Sequence, residues 1–244
     1  MLEQRTAFVT GGTGAIGTAI VRCLAGYGAR VAFSYHSHEE IARQLETELS
    51  ARKQVAKGYA LDVLDAARAG KLAEQIEPEL GPVDILVNNA GVTQVMPFAL
   101  IEETDWDRMM DVNVKGMFLV TKAFARAMIR RKGGVIVNLG SLAGVRLLEV
   151  PVHYATAKSA VVGFTLSLAR ELSRYNVRVN AVVPGLLAGG VSEQVPDKQR
   201  ADYLQHCAAG RAGKAEEVAE LVAFLASDRA SYINAQAIQI DGGI

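Results

Sequence analysis

The chain has 244 residues, half of them apolar, and its 26 basic side chains balance 26 acidic ones. A net charge of zero gives no global attraction to nucleic acid or to an anionic membrane, so we expect neither as a partner. The length suits one α/β domain, and no linker, repeat or change of composition divides the chain, which predicts a single domain over residues 1–244.

Cysteine usage and apolar runs narrow the class of protein further. The two cysteines, Cys23 and Cys207, lie outside zinc-ligand and CxxC spacings, so we expect reduced thiols and no metal site. No apolar run reaches the roughly 18 residues of a membrane-spanning helix. A strand-like run begins at Thr6, which leaves no room for a signal peptide, and we therefore expect a cytoplasmic protein.

Strand-like and helix-like runs alternate from end to end of the chain. The strand-like runs are rich in Val, Ile, Ala and Leu, as strands buried on both faces are. They cover Thr6–Thr10, Arg30–Tyr35, Gln54–Leu61, Asp84–Val87, Val135–Leu139, Arg178–Val183 and Ala237–Ile240. Helical periodicity is clearest over Ile41–Ala51, Asp105–Arg131, Tyr154–Tyr175 and Ala215–Ala226. This βαβ series predicts an α/β Rossmann fold, with a doubly wound, seven-stranded parallel sheet and helices on both faces.

A glycine-rich loop follows the first predicted strand. It reads Gly11-Gly12-Thr13-Gly14-Ala15-Ile16-Gly17 and opens a helical pattern. Glycines let the backbone approach a pyrophosphate closely, and the N-terminus of a helix presents free N–H groups to it. The spacing of Gly12, Gly14 and Gly17 therefore predicts a dinucleotide site.

The end of the second predicted strand bears on the choice of dinucleotide. It reads Ser34-Tyr35-His36-Ser37, without the acid that would bind the ribose hydroxyls of NAD. A 2′-phosphate meets no repulsion there, and hydroxyl and imidazole groups can donate hydrogen bonds to it. We therefore expect NADP, bound in part by Tyr35, His36 and Ser37, with Arg43 as a candidate helper and NAD as the weaker alternative.

A phenol and an ammonium group stand four residues apart in Tyr154-Ala155-Thr156-Ala157-Lys158, which places them on one face of a helix. A free phenol titrates near pH ~10, and a nearby cation lowers its pKa toward the range in which it exchanges protons readily. Ser141 follows the fifth predicted strand, and we expect its hydroxyl to hold a carbonyl oxygen beside Tyr154. His153 pairs with no nucleophile, so we expect a loop or pocket-wall residue there.

The combination of these motifs resembles the short-chain dehydrogenase/reductase family. Asn113, Ser141, Tyr154 and Lys158 match the catalytic tetrad of that family. The resemblance implies that hydride moves between a nicotinamide and a carbonyl or alcohol while Tyr154 transfers the proton. It also implies that Lys158 lowers the pKa of the tyrosine and holds the nicotinamide ribose, that Ser141 polarises the carbonyl, and that Asn113 holds a water connecting Lys158 to solvent.

The remaining cofactor contacts come from the same resemblance, which covers essentially the whole chain. Beyond the glycine loop and the second strand, the expected contacts are Asp62, Val63, Asn89, Ala90, Gly91, Tyr154, Lys158, Pro184, Gly185 and Leu187. Two positions depart from the family pattern. Ala15 replaces a usual loop glycine, and Gly189 replaces a threonine that often contacts the carboxamide.

Within the family, the motifs look most like reductases of β-ketoacyl thioesters, on acyl-carrier protein or on coenzyme A. An apolar pocket wall of Leu147, Leu148 and Val150 would suit an acyl chain. The run Val92-Thr93-Gln94-Val95 differs from the usual pattern and indicates a specialised relative, for example in a polyketide pathway. The alternatives are a reductase of another small carbonyl such as a sugar, steroid or ketone, a catalytically silent nucleotide sensor, and a structural subunit.

Assembly is also expected from the resemblance. The helical patterns Asp105–Arg131 and Tyr154–Tyr175 are apolar over more than one buried stripe, and in relatives these helices pair across two-fold axes. We expect a homotetramer, with a dimer as the second choice. A cluster of cations at the ends of these helices is a candidate docking patch for an acidic acyl carrier, the alternative being plain surface charge: Arg130, Arg131, Lys132 and Arg174.

Overall fold

The computed structural model describes residues 1–190 and 195–244, in which strands and helices alternate along the chain. The strands are β1 (Thr6–Val9), β2 (Arg30–Tyr35), β3 (Ala56–Ala60), β4 (Val83–Asn88), β5 (Gly134–Leu139), β6 (Val177–Pro184) and β7 (Ala237–Ile240). The helices are α1 (Ala15–Gly26), α2 (Glu39–Ala51), α3 (Ala66–Leu80), α4 (Glu103–Met110), α5 (Met117–Arg131), α6 (Val152–Leu172), α7 (Asp197–His206) and α8 (Ala215–Ala226). A π-helical turn, Asp111–Gly116, joins α4 to α5.

The seven strands form one parallel sheet in the order β3-β2-β1-β4-β5-β6-β7. The chain builds from β1 through β2 to β3 in one direction, then returns to β4 on the other side of β1. A crevice opens at the carboxyl ends of the strands where the order reverses in this way. Val9 pairs with Val87 at that point, so β1 and β4 end side by side and the loops that follow them meet.

Apolar layers cover both faces of the sheet. On one face, α1, α2 and α8 pack over side chains that include Val87 and Val137. On the other face, α3, α5 and α6 pack over their sequence neighbours Leu86 and Ile136. Successive side chains of a strand point to opposite faces, so strands covered on both sides have continuous apolar sequences.

The predicted fold class is confirmed, most element ends differ from expectation by one to three residues, and two of these differences have a clear physical reason. The third strand is shorter than the predicted Gln54–Leu61, because the Gln54 N–H donates to Leu49 O at the end of α2 and joins the helix terminus instead. The predicted helix Asp105–Arg131 begins at Glu103 and is interrupted by the π-helical turn. Apolar residues continue through this turn, so periodicity alone does not show the interruption.

The described part of the chain contains neither a candidate membrane span nor a candidate metal cluster. No helix there is long and apolar enough to cross a membrane. No group of three or more His, Cys, Asp or Glu side chains is placed there to share a metal ion. Cys23 and Cys207 are free thiols.

Candidate active site

The glycine loop between β1 and α1 leaves no room for side chains at three positions. Gly11 has a φ of +65°, a conformation that favours glycine. A Cβ at Gly12 would lie 2.7 Å from Phe33 Cβ, and one at Gly17 would lie 2.8 Å from Asn89 Nδ2. Asn89 Nδ2 also donates to Gly11 O at 3.1 Å, which fixes the loop against the end of β4. No described side chain caps the N-terminus of α1, so its first N–H groups are available to an anion.

A cleft of about 780 Å³ opens over this loop. Most residues expected to bind the cofactor line it: Gly11, Thr13, Gly14, Ala15, Ile16, Gly17, Tyr35, His36, Ser37, Asp62, Val63, Asn89, Ala90, Gly91 and Leu187. Gly12 packs beneath the loop on Phe33 instead, because the turn directs it toward β2. Pro184 and Gly185 line the neighbouring pocket. The tight loop, the uncapped helix and the size of the cleft fit a dinucleotide.

Sequence reasoning missed Arg108, which lines the same cleft from α4. In the sequence it is one charge among several on a polar helix, and nothing distinguishes it from a solvated residue.

Tyr35, His36 and Ser37 line the cleft beside β2, and His36 Nε2 lies 3.9 Å from Asp62 Oδ2. Arg43, the candidate helper, is engaged within its own helix. Its guanidinium donates to Glu39 Oε1 at 2.7 Å on the same helix and is absent from the cleft lining.

The predicted tyrosine, lysine and serine come together at the end of β5. Lys158 is buried, and its Nζ donates to Leu139 O at 3.0 Å and lies 5.8 Å from the centroid of the Tyr154 ring. Ser141 Oγ accepts a hydrogen bond from the Ala143 N–H at 3.2 Å. Its hydroxyl proton is therefore free to donate, and the Tyr154 phenol lies within its reach.

The expected direction of the Tyr154 pKa is wrong. Burial raises the pKa of the phenol, and the hydrogen bond with Ser141 opposes that shift only in part. The lysine was expected to lower it, but its ammonium group binds the Leu139 carbonyl and not the phenol. Burial also lowers the pKa of Lys158 to about 8, so its positive charge is less firmly held than that of an exposed lysine.

Asn113 lies in the π-helical turn and faces the same region. Its Nδ2 donates to Met109 O and to Val92 O, both at 3.0 Å. Its buried Oδ1 has no partner among the residues described. A Cβ built on Gly91 would lie 2.6 Å from this oxygen and 3.6 Å from Lys158 Nζ, so both groups flank Gly91. An unpaired buried acceptor costs about 1–3 kcal/mol, which marks Asn113 Oδ1 as open to a donor.

A second pocket, of about 450 Å³, lies beside Ser141 and Tyr154. Leu147, Leu148 and Val150 line it, as expected for substrate residues. Leu147 is fully exposed and stands at the mouth of the pocket.

Helix α7 supplies a wall of this pocket that sequence reasoning largely missed. Its lining includes Gln199, Asp202, Tyr203 and His206. The Tyr203 hydroxyl donates to Asp241 O at 3.2 Å and so connects α7 to the chain beyond β7. These polar residues resemble an exposed helix surface, and only the tertiary fold places them at a pocket.

The candidate carrier patch lies away from the pocket within one chain. Arg130, Arg131 and Lys132 end α5 and precede β5, and Arg174 follows α6 and precedes β6. These positions are at the amino ends of the strands, whereas the pocket is at the carboxyl ends. Arg131 is also engaged, since it donates to Val83 O at 2.6 Å. A carrier role for these cations therefore requires a second subunit.

Comparisons with known proteins agree over the full length of the chain. A family model described as enoyl-(acyl carrier protein) reductase matches residues 12–244. The 3-oxoacyl-(acyl-carrier-protein) reductase FabG of Thermotoga maritima is 37% identical over 243 residues, covering 100% of this chain and 98% of that protein. A short-chain dehydrogenase/reductase from Serratia marcescens has a TM-score of 0.92 at 36% identity, covering 99% and 98% of the two chains. A gluconate 5-dehydrogenase from Burkholderia cenocepacia, solved with NADP and tartrate, has a TM-score of 0.92 at 30% identity, covering 99% and 95%.

Identity at this level over whole chains, together with the nearly superimposable fold, settles the family and the class of reaction. The chain is an NAD(P)-dependent oxidoreductase that acts on a ketone or alcohol. The resemblance expected from the motifs is thereby confirmed: the chain belongs to the short-chain dehydrogenase/reductase family.

Proposed function

We propose that the chain uses NADPH to reduce the ketone of a β-ketoacyl thioester, carried by acyl-carrier protein or coenzyme A, to the β-hydroxyacyl thioester. The observation that carries this proposal is the pairing of two hydroxyl groups, on Ser141 and Tyr154, beside an apolar pocket of about 450 Å³. The names of the full-length relatives support the substrate class. Such a step belongs to fatty acid or polyketide-type biosynthesis.

The two hydroxyl groups serve the carbonyl oxygen. The bound cofactor supplies the hydride for the carbonyl carbon. Tyr154 supplies the proton, and its raised pKa keeps the phenol protonated and loaded for reduction at neutral pH. A phenol is a stronger acid than an aliphatic alcohol, so the proton moves to the oxygen as negative charge develops there. Ser141 donates to the same oxygen and stabilises that charge.

Lys158 and Asn113 restore the proton that Tyr154 gives up. An amine with a pKa of about 8 populates both protonation states near neutral pH and therefore exchanges protons readily. Asn113 Oδ1 and Lys158 Nζ flank Gly91, so a water bound between them would connect the lysine to the cofactor cleft. Lys158 also binds the nicotinamide ribose in this proposal.

The charge of the pocket supports an uncharged acyl chain. Its described lining contains no Lys or Arg, while Glu149 and Asp202 contribute carboxylates. A sugar acid would meet like charge and find no cation there, although one structural neighbour is a gluconate dehydrogenase. A thioester places its anionic groups on the carrier, outside the pocket. The same apolar wall makes a neutral small ketone the second candidate.

NADPH is the proposed cofactor because Tyr35 at the end of β2, and His36 and Ser37 directly after it, include no carboxylate that would repel a 2′-phosphate. One structural neighbour was solved with NADP, which is consistent with this choice. The glycine loop would hold the pyrophosphate through backbone N–H groups, which gives no preference between NADPH and NADH.

The test is the rate of NADPH oxidation with four substrates: acetoacetyl-coenzyme A, crotonyl-coenzyme A, a 5-ketogluconate and a neutral cyclic ketone. We expect the highest kcat/KM with acetoacetyl-coenzyme A and none with crotonyl-coenzyme A, because both hydroxyls serve a carbonyl and not a carbon–carbon double bond. Turnover of crotonyl-coenzyme A alone would replace the proposal with enoyl reduction. A higher kcat/KM with the sugar acid or with the cyclic ketone would replace the proposed substrate class with the class of that compound.

A further inference from the structure

The loop 91–97 forms a shared wall between the cofactor cleft and the substrate pocket. Gly91 and Val92 line the cleft, and Thr93 and Val95 line the pocket. At its start the loop is held by Asn113, whose Nδ2 donates to Val92 O at 3.0 Å. The loop contains no helix or strand before residue 98, so its position depends on such side-chain contacts.

Gln94 supplies the second attachment of this loop. Its Nε2 donates to Asp105 Oδ1 at 2.8 Å, in the first turn of α4. Its Oε1 lies 3.1 Å from Nε2 of His153. A carboxylate only accepts hydrogen bonds, so the amide group of Gln94 must face Asp105 and its oxygen must face the imidazole. The other carboxylate oxygen of Asp105, Oδ2, accepts a hydrogen bond from the Glu102 N–H at 3.2 Å, which fixes the carboxylate at the start of the helix.

His153 is the other end of this connection, and it immediately precedes Tyr154 in the first turn of α6. Its side chain has no exposed surface, and it is a helix residue, not the loop or pocket-wall residue expected. Gln94 Oε1 can only accept, so His153 donates through an Nε2–H and is the neutral tautomer protonated there. Its Nδ1 has no partner among the described residues, and burial lowers the pKa of the imidazole, which keeps it neutral.

We propose that Asp105, Gln94 and His153 act as a positioning relay that sets the loop 91–97 against the helix bearing Tyr154, and thereby fixes the distance between the substrate wall and the proton donor. Gln94 and His153 touch neither the hydride nor the carbonyl, so they are positioning residues. Reacting groups need to be placed closely, and a misplacement of about 1 Å can cost about a hundredfold in rate. The relay rests on the proposed function only for the choice of assay substrate.

The test is a double-mutant cycle on the full chain. Gln94→Met keeps the length of the side chain and removes both hydrogen bonds, and His153→Phe keeps a buried ring without the donor. We expect each variant to lose between about tenfold and a hundredfold in kcat/KM. The double variant should lose no more than either single one, because all three break the same connection. Binding of NADPH, followed by its fluorescence, should stay at the wild-type value.

Two further variants separate positioning from general damage. His153→Gln places an N–H at about the reach of the imidazole Nε2 and should recover much of the lost kcat/KM. Gln44→Met makes the same substitution on the exposed face of α2 and should change nothing.

The outcomes distinguish the two proposals. Lower thermal stability with kcat/KM within about twofold of wild type, or single losses that multiply in the double variant, would overturn the relay. If the wild type does not reduce acetoacetyl-coenzyme A, the proposed substrate class fails. The cycle then uses whichever ketone the wild type reduces, and the relay is judged on that.

Discussion

The buried ammonium group of Lys158 is needed for activity but destabilises the folded protein. Lys158 is 7% exposed, and burial lowers its pKa from an ordinary 10.5 to about 8. A pKa difference of that size means that the charged ammonium group destabilises the folded protein by about 3 kcal/mol relative to the unfolded chain. Lys158→Met removes the charge at similar volume, but it also loses the hydrogen bond to Leu139 O, worth about 1 kcal/mol. We therefore expect the variant to be about 2 kcal/mol more stable than wild type at pH 7 and to lose its reductase activity.

The gain in stability expected for Lys158→Met depends on pH. The folded-state pKa is depressed, so the folded protein is penalised for the charge at every pH below about 8. As pH rises from there toward 10.5, the unfolded chain also loses its proton and the advantage of methionine disappears. Urea unfolding at pH 7 and at about pH 10 measures both limits, with Lys71→Met on the exposed face of α3 as a control that should change neither. A Lys158→Met variant that is less stable than wild type at pH 7, or whose advantage grows at high pH, would refute the reasoning.

Three other predictions follow from the site and the surface. Tyr154→Phe should retain the fold and NADPH binding while kcat falls by about 10²–10⁴, since only the acidic proton is removed, and near-wild-type kcat would exclude Tyr154 as the donor. Tyr35→Asp should shift the ratio of kcat/KM values toward NADH, and an unchanged ratio would show that the end of β2 does not contact the 2′-phosphate. Phe118 and Leu166 are each 44% exposed on α5 and α6, and we expect these faces to be covered in a homotetramer, so light scattering that gives the mass of a monomer would contradict the assembly.

The predictable parts of the site are those whose residues are close together both in the sequence and in the fold. The glycine loop is local, and Tyr154 and Lys158 share a face of one helix, so residue type and spacing are enough to find them. The wall formed by α7 and the contribution of Arg108 are not local. Their residues are polar and lie on helices whose sequences look solvent-exposed, and only the packing of distant elements places them beside the cleft and the pocket.

The electrostatics were harder to predict than the positions. Sequence places a cation beside Tyr154, and from that alone a lowered pKa follows. The direction reverses because burial acts on both groups and because Leu139 O takes the hydrogen bond of the ammonium group. Degree of burial is a property of the whole fold, so no local motif contains it.

Activity depends on the number of residues in the π-helical turn Asp111–Gly116. A π-helical turn holds more residues than an α-helical turn, and the surplus turns Asn113 toward Gly91. Deleting one residue from this turn would let α4 and α5 run on as a regular α-helix, with no break in hydrogen bonding. Because the wider turn already absorbs the surplus residue, α4 and α5 would keep their relative orientation and Arg108 would stay at the cleft. The Asn113 amide would lose its position beside Gly91, so a deletion here would impair activity without unfolding the enzyme.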